Sequence, residues 1–160
     1  MSFEEINALL KNDLEALHLR MKAELKSDIP LLNLITNYLL KTKGKQVRPL
    51  FVFLSARLNG ESNDATTVAA TMIELLHTAT LVHDDVVDAS AMRRGKPTAN
   101  DIWGNQSSVL VGDFLFSRAF QLMVSDGSLD TLKILSDTSA IIAEGEVLQL
   151  MTAHNPETTE

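Results

Sequence analysis

The chain has 160 residues, 45% of them hydrophobic and 22% charged, which suits one folded domain with a real core. Its formal net charge of −7 argues against a nucleic-acid surface, although a few local arginines and a metal can still hold a polyanion inside an acidic protein. The absence of cysteine excludes disulfides and thiolate zinc sites and fits a reducing compartment. The N-terminus, MSFEEINALLKNDLEALHLR, is acidic and amphipathic where a signal peptide is basic and then apolar. No apolar run approaches the roughly 20 residues of a membrane span. The expectation is a cytoplasmic globular protein with no transmembrane segment and no nucleic-acid partner.

Only four prolines and seven glycines interrupt the sequence, and period-two clustering of aromatic and β-branched residues is scarce, so the chain reads as all-α. Phe3, Ile6, Leu9, Leu10, Leu14 and Leu17 recur at helical steps and predict an amphipathic first helix to about Ser27. Pro30 opens a second helix, which KTKGKQ closes. Val47–Leu58 predicts a third, with Pro49 in its first turn, where a missing N–H costs nothing. NGESND is a turn, and Asp64 or Ser62 can cap the long apolar helix that follows and runs to the aspartates of HDDVVD. The stretch 89–105 is polar and turn-rich. Ser107–Val124 and Leu129–Ala153 then predict two further helices separated by SDGS. The final HNPETTE reads equally as a frayed end or as an inter-helix loop leading to another element.

Asp84, Asp85 and Asp88 crowd negative charge onto about one turn at the C-terminal end of their helix, where the helix dipole also opposes it. Like charges at helical spacing cost about 0.2–0.5 kcal/mol per pair, so the cluster calls for a cation. His77, Asp84 and Asp88, spaced by seven and four, share one helix face, with Asp85 about 100° around from Asp84. Hard carboxylate oxygens on one face suit magnesium shared with a substrate's phosphates. Arg93 and Arg94 follow in a loop with Gly95 and Pro97 that can fold back over the helix end, and guanidinium forks suit phosphate. GKQVRP places Gly44, Lys45 and Arg48 at a loop-to-helix junction, where free N–H groups favour a second anion. His83 lies about 240° around from His77, which is not a zinc-protease spacing, and reads as structural or supporting.

With GKQVRP, LLHTATLVHDDVVD, MRRGKPTAN, VLVGDFLFSRAFQLM and AEGEVLQL in order, the chain resembles the trans-isoprenyl diphosphate synthases, and among them the octaprenyl diphosphate synthases of bacterial quinone biosynthesis. The resemblance implies an all-α isoprenoid synthase-type bundle, usually a homodimer. Residues 1–160 would form a single helical domain, the N-terminal half of a longer polyprenyl synthase. The implied activity is head-to-tail transfer of isopentenyl units onto an allylic diphosphate such as farnesyl diphosphate, giving a long all-trans product. It also implies that Asp84, Asp85 and Asp88 bind Mg2+, that Arg93 and Gln149 serve the allylic diphosphate, and that Lys45, Arg48, His77 and Arg94 hold isopentenyl diphosphate. The small Ala79 and Thr80 would let the growing chain pass, where short-chain relatives carry bulky aromatics, with Phe120, Met123 and Leu135 as candidate floor residues. The family's second aspartate-rich motif and a lysine that supports the allylic diphosphate have no counterpart before Glu160, so the chain alone is expected to be inactive or weak.

Three rivals compete. A non-catalytic subunit of a heteromeric prenyl synthase has no use for so many anion and metal groups together. A terpene cyclase does not need the second-substrate residues Lys45, Arg48 and His77. A metal-dependent phosphohydrolase built on His83 and Asp84 lacks ligands, since the remaining histidines are His18, His77 and His154.

Overall fold

The computed structural model describes residues 2–42, 44–60 and 62–152. They form seven helices and one two-stranded hairpin. The chain divides into two compact units, residues 1–122 and 123–160.

In the first unit, α1 (Phe3–Leu9) starts at a capping box in which Ser2 and Glu5 satisfy each other's backbone N–H groups at 2.6 and 3.2 Å. The single first helix read from the periodicity is in fact two. Leu10 leaves helical geometry (φ −100°, ψ 15°), and α2 (Lys11–Glu24) follows at once. The turn lets Leu10 drop fully into the core beside Leu17. An apolar repeat that continues across such a turn carries no mark of it. α3 (Pro30–Lys41) begins at Pro30 as expected. Its Asn33 closes back on Ser27, accepting from its N–H at 3.0 Å and donating to its carbonyl at 2.6 Å.

α4 (Val47–Leu58) has the predicted bounds. α5 (Asp64–Val87) is capped by Asn63 rather than by Asp64 or Ser62, with the Asn63 side chain accepting from the Thr66 N–H at 3.0 Å. Ser62 instead donates to Asp13 at 2.6 Å, and Arg57 pairs with the same carboxylate at 2.7 Å, which ties the α4–α5 turn to α2. α5 packs on α2 and α4 and buries Val68, Ala70, Met72, Leu75, Ala79 and Val82 among Leu17, Met21, Leu50 and Phe53.

The stretch read as turn-rich contains a β-hairpin, β1 (Met92–Arg93) with β2 (Lys96–Pro97). Its two-residue turn has φ +53° at Arg94 and +73° at Gly95, the mirror-image geometry that matches strand twist. α6 (Ala99–Asp126) starts eight residues before the expected Ser107, with a break at Gly104 (φ 81°, ψ 161°). The polar composition before Ser107 hides this first segment from a periodicity reading. Both α5 and α6 are long and apolar enough to cross a membrane by length and composition, but the apolar window of α5 is 44% buried within the fold.

In the second unit, Gly127 (φ 73°) follows the end of α6, and Ser128 caps α7 (Leu129–Thr152) by accepting from the Thr131 N–H at 3.1 Å. The predicted last residue of this helix, Ala153, and the HNPETTE segment lie outside the described residues.

Candidate functional site

The C-terminal half of α5 forms one wall of a cavity of about 80 Å3, whose lining includes Glu74, His77, Asp85, Arg93 and Arg94. The rest of the lining is largely apolar, with Leu39, Leu40, Leu75, Leu81, Val82 and Leu115. Charged groups thus converge on a small, largely apolar pocket, the combination of surfaces that small-molecule sites use.

The hairpin delivers the two arginines. Arg93 Nε donates to Asp85 Oδ1 at 2.7 Å, and the Asp85 side chain is 8% exposed. Sequence spacing placed Asp85 at the margin of the carboxylate group. The fold instead turns it inward onto Arg93, because a carboxylate at the C-terminal end of a helix gains most from a nearby cation. Arg94 adopts the left-handed conformation at the hairpin turn and donates to the Thr42 carbonyl at 3.3 Å. Its guanidinium lies against Gly44, where any β-carbon would collide with it. Glycine at position 44 is what allows the arginine to approach.

Three further side chains fix the hairpin to α5 and α3. Thr98 donates to the Ser90 carbonyl at 2.7 Å, Asn100 to the Asp85 and Ser90 carbonyls at 3.3 and 3.0 Å, and the Tyr38 hydroxyl to the Pro97 carbonyl at 2.6 Å. Tyr38 in turn meets Trp103 edge-on at 5.2 Å. Sequence reasoning missed Tyr38, Thr98 and Asn100. Their signal was small polar residues in the turn-rich stretch and the chain's one tyrosine.

At the α4 junction, Gln46 precedes the helix in left-handed geometry with no side-chain cap. Arg48 Nη1 donates to His77 Nε2 at 3.0 Å, which joins α4 to α5 and requires the Nε2 lone pair. Burial, then the positive charges of Arg48, Arg94 and Arg93, push the His77 pKa down to about 4, so the ring is neutral at physiological pH. Glu74, one turn earlier on α5, has its pKa raised by burial against the opposing pull of Arg48 and Arg94. Sequence reasoning also passed over Glu74, though its i, i+3 spacing to His77 marked it. Lys45 is exposed with its ammonium 5.9 Å from the centre of the Phe3 ring, and it does not line the cavity.

The three aspartates have the oxygen chemistry that magnesium takes. Among the described residues, however, no group of three His, Asp or Glu side chains is gathered to hold a metal ion. Asp85 is engaged by Arg93, and Asp88 is exposed at the C-cap of α5 with its N–H bonded to the Asp84 carbonyl at 2.8 Å. His83 links α5 to α6. Its Nε2–H donates to the Val109 carbonyl at 3.1 Å and lies 3.4 Å from Asp113, while its ring packs on Gly112.

The residues suggested for chain length fall in different environments. Ala79 is fully buried and Thr80 is exposed, its hydroxyl donating to the His77 carbonyl at 2.9 Å, and neither lines the cavity. Phe120 meets Phe116 with ring centres 5.1 Å apart and planes tilted by 58°, and Met123 is buried, whereas Leu135 is half-buried and Gln149 exposed on α7.

The sequence matches the polyprenyl synthetase family over residues 29–160. It is 48% identical to the octaprenyl diphosphate synthase of Escherichia coli over all of this chain and 50% of that protein. The fold superposes on a decaprenyl diphosphate synthase from Rhodobacter capsulatus with a TM-score of 0.94 at 44% identity, covering 99% of this chain and 49% of that one. A polyprenyl synthase from Caulobacter crescentus, complexed with calcium and isoprenyl diphosphate, matches with a TM-score of 0.93 at 44% identity, covering 99% of this chain and 48% of that one. The chain therefore spans about half the length of these relatives. The helical architecture, the cavity at the end of α5 and these matches over the whole chain lead to one conclusion: the chain belongs to the polyprenyl synthetase family.

Proposed function

We propose that this chain is the N-terminal half of a trans-polyprenyl diphosphate synthase that adds isopentenyl diphosphate head-to-tail to an allylic diphosphate of the farnesyl type. The product would be a long, octaprenyl-like diphosphate for quinone side chains. The observation that carries the reading is the convergence of Arg93, Arg94 and His77, with Arg48 bonded to His77, on one largely apolar cavity. A calcium ion and an isoprenyl diphosphate in the Caulobacter relative support a metal-diphosphate site here.

Arg93 would meet the allylic diphosphate after exchanging Asp85 for a phosphate oxygen, and Gln149 would assist it. Lys45, Arg48, His77 and Arg94 would hold isopentenyl diphosphate, with neutral His77 keeping the Arg48 fork oriented. Asp84, Asp85 and Asp88 would hold Mg2+, which supplies neutralising charge to the departing diphosphate. The guanidinium groups draw electron density onto that leaving group, and the apolar walls keep water from the allylic carbon as it ionises. The small side chains of Ala79 and Thr80 favour a long product. A homodimer is supported by Ile102, Val109 and Leu110, large apolar residues exposed on α6. The absence of cysteine supports a cytoplasmic location.

The test is a magnesium-dependent transfer assay with farnesyl diphosphate and labelled isopentenyl diphosphate, run on this chain and on one extended by a relative's C-terminal half. Long products from the extended chain alone are expected. If neither turns over, the reading as a non-catalytic subunit takes its place.

A further inference from the structure

Glu74 is one of two acids in the pocket wall; the other, Asp85, is paired with Arg93, which leaves Arg94 as the cation of the lining without a carboxylate partner. Glu74 is half-buried on α5, one turn before His77, and within electrostatic reach of Arg48 and Arg94. Neither arginine leans on it. Arg48 is held by His77 Nε2 at 3.0 Å and Arg94 by the Thr42 carbonyl at 3.3 Å, while the Glu74 backbone carbonyl accepts from Thr78 at 2.7 Å. Among the described residues the Glu74 carboxylate makes no hydrogen bond or ion pair of its own. A carboxylate that braced the arginines would be in contact with them. This one acts only through its field.

We infer that Glu74 is a built-in counter-charge of the diphosphate pocket, lowering the positive potential that Arg48 and Arg94 create in the cavity and so weakening the hold on the anion. The inference rests on the reading of Arg48 and Arg94 as diphosphate-binding residues. Its physical consequence is release. With Arg93 already balanced by Asp85, Arg48 and Arg94 left uncompensated beside apolar walls would retain a diphosphate strongly, because Coulomb attraction grows as water is excluded. A fixed negative charge in the wall sets a ceiling on that attraction without blocking the site. The charged form is also costly to the fold, since burial raises the Glu74 pKa despite the two arginines.

The experiment is titration of this chain with inorganic diphosphate in metal-free buffer at neutral pH. Binding is followed by the fluorescence of Trp103, the only tryptophan, which meets the cavity-lining Tyr38 at 5.2 Å. Glu74→Gln, which keeps the shape and removes the charge, is expected to bind about 3- to 10-fold tighter, and Glu74→Asp to stay within about twofold of the parent. Its melting midpoint should be no lower than the parent's, which separates a field effect from damage to the fold. Unchanged or weaker binding by Glu74→Gln, with Arg94→Ala abolishing binding, overturns the counter-charge and leaves the pocket assignment standing. Should Arg94→Ala and Arg48→Ala bind like the parent, or should no variant bind, the pocket assignment fails and the inference falls with it.

Discussion

α5 and α7 are both 24 residues long and both rich in apolar side chains, yet α5 buries eight residues and α7 buries none. Ile141, Leu148 and Met151 on α7 are 68%, 59% and 76% exposed, while Leu75 and Ala79 on α5 are fully enclosed. Residues 1–122 supply α5 with neighbours on more than one side through α2 and α4. The second unit supplies no such cover. Burial is therefore a property of what packs on a helix. A strong apolar composition measures only how much cover the helix can use.

The contrast is open to direct attack. The largest effect is expected for Phe53→Ala, which empties a fully buried site on α4 facing α5 and should destabilise residues 1–122 by about 3–5 kcal/mol in urea unfolding. Asp85→Asn comes next. It leaves Arg93 without its charged partner beneath the hairpin and should cost about 1–3 kcal/mol by the same measurement. The third effect depends on pH. His77 binds a proton more weakly folded, at about 4, than unfolded, at about 6.5. Its contribution is thus fully present above pH 6.5 and is lost as pH falls towards 4. Urea midpoints between pH 7 and 4 should show this decline, and His77→Gln should flatten it. The smallest effect is expected on α7, where Ile141→Ala and Leu148→Ala should each change stability by less than about 0.5 kcal/mol. A loss as large as that of Phe53→Ala at either position would erase the distinction between the two helices.

Much of the fold was legible because helix periodicity, proline position and turn composition are local signals. The bounds of α4 were readable to the residue from Val47, Pro49 and the NGESND turn. The break at Leu10 was not, since both flanking segments keep the same apolar repeat. The hairpin escaped because its turn uses Arg94 in left-handed geometry, where Asn or Gly is the usual signal. At the site, charge and spacing singled out His77, Asp84, Asp85, Asp88, Arg93 and Arg94. Spacing alone left open which way each would turn. Lys45 stands over Phe3 and Asp85 faces Arg93, both outcomes of long-range packing. Glu74 escaped because, although its i, i+3 spacing to His77 put it on the right face, its charge gains a role only once the arginines around it are placed.

Arg94 reaches Thr42 across 52 residues of sequence, and Tyr38 reaches Pro97 across 59. These spans must close, at an entropic cost, before either contact is made. The two sides of the arginine pocket therefore come together only once α3, α5 and the hairpin are docked. Folding intermediates with helices formed but the hairpin undocked would present scattered cations and no anion site. On the proposed reading, inorganic diphosphate would act as a ligand of the native state alone, slowing unfolding and leaving the early steps of folding untouched.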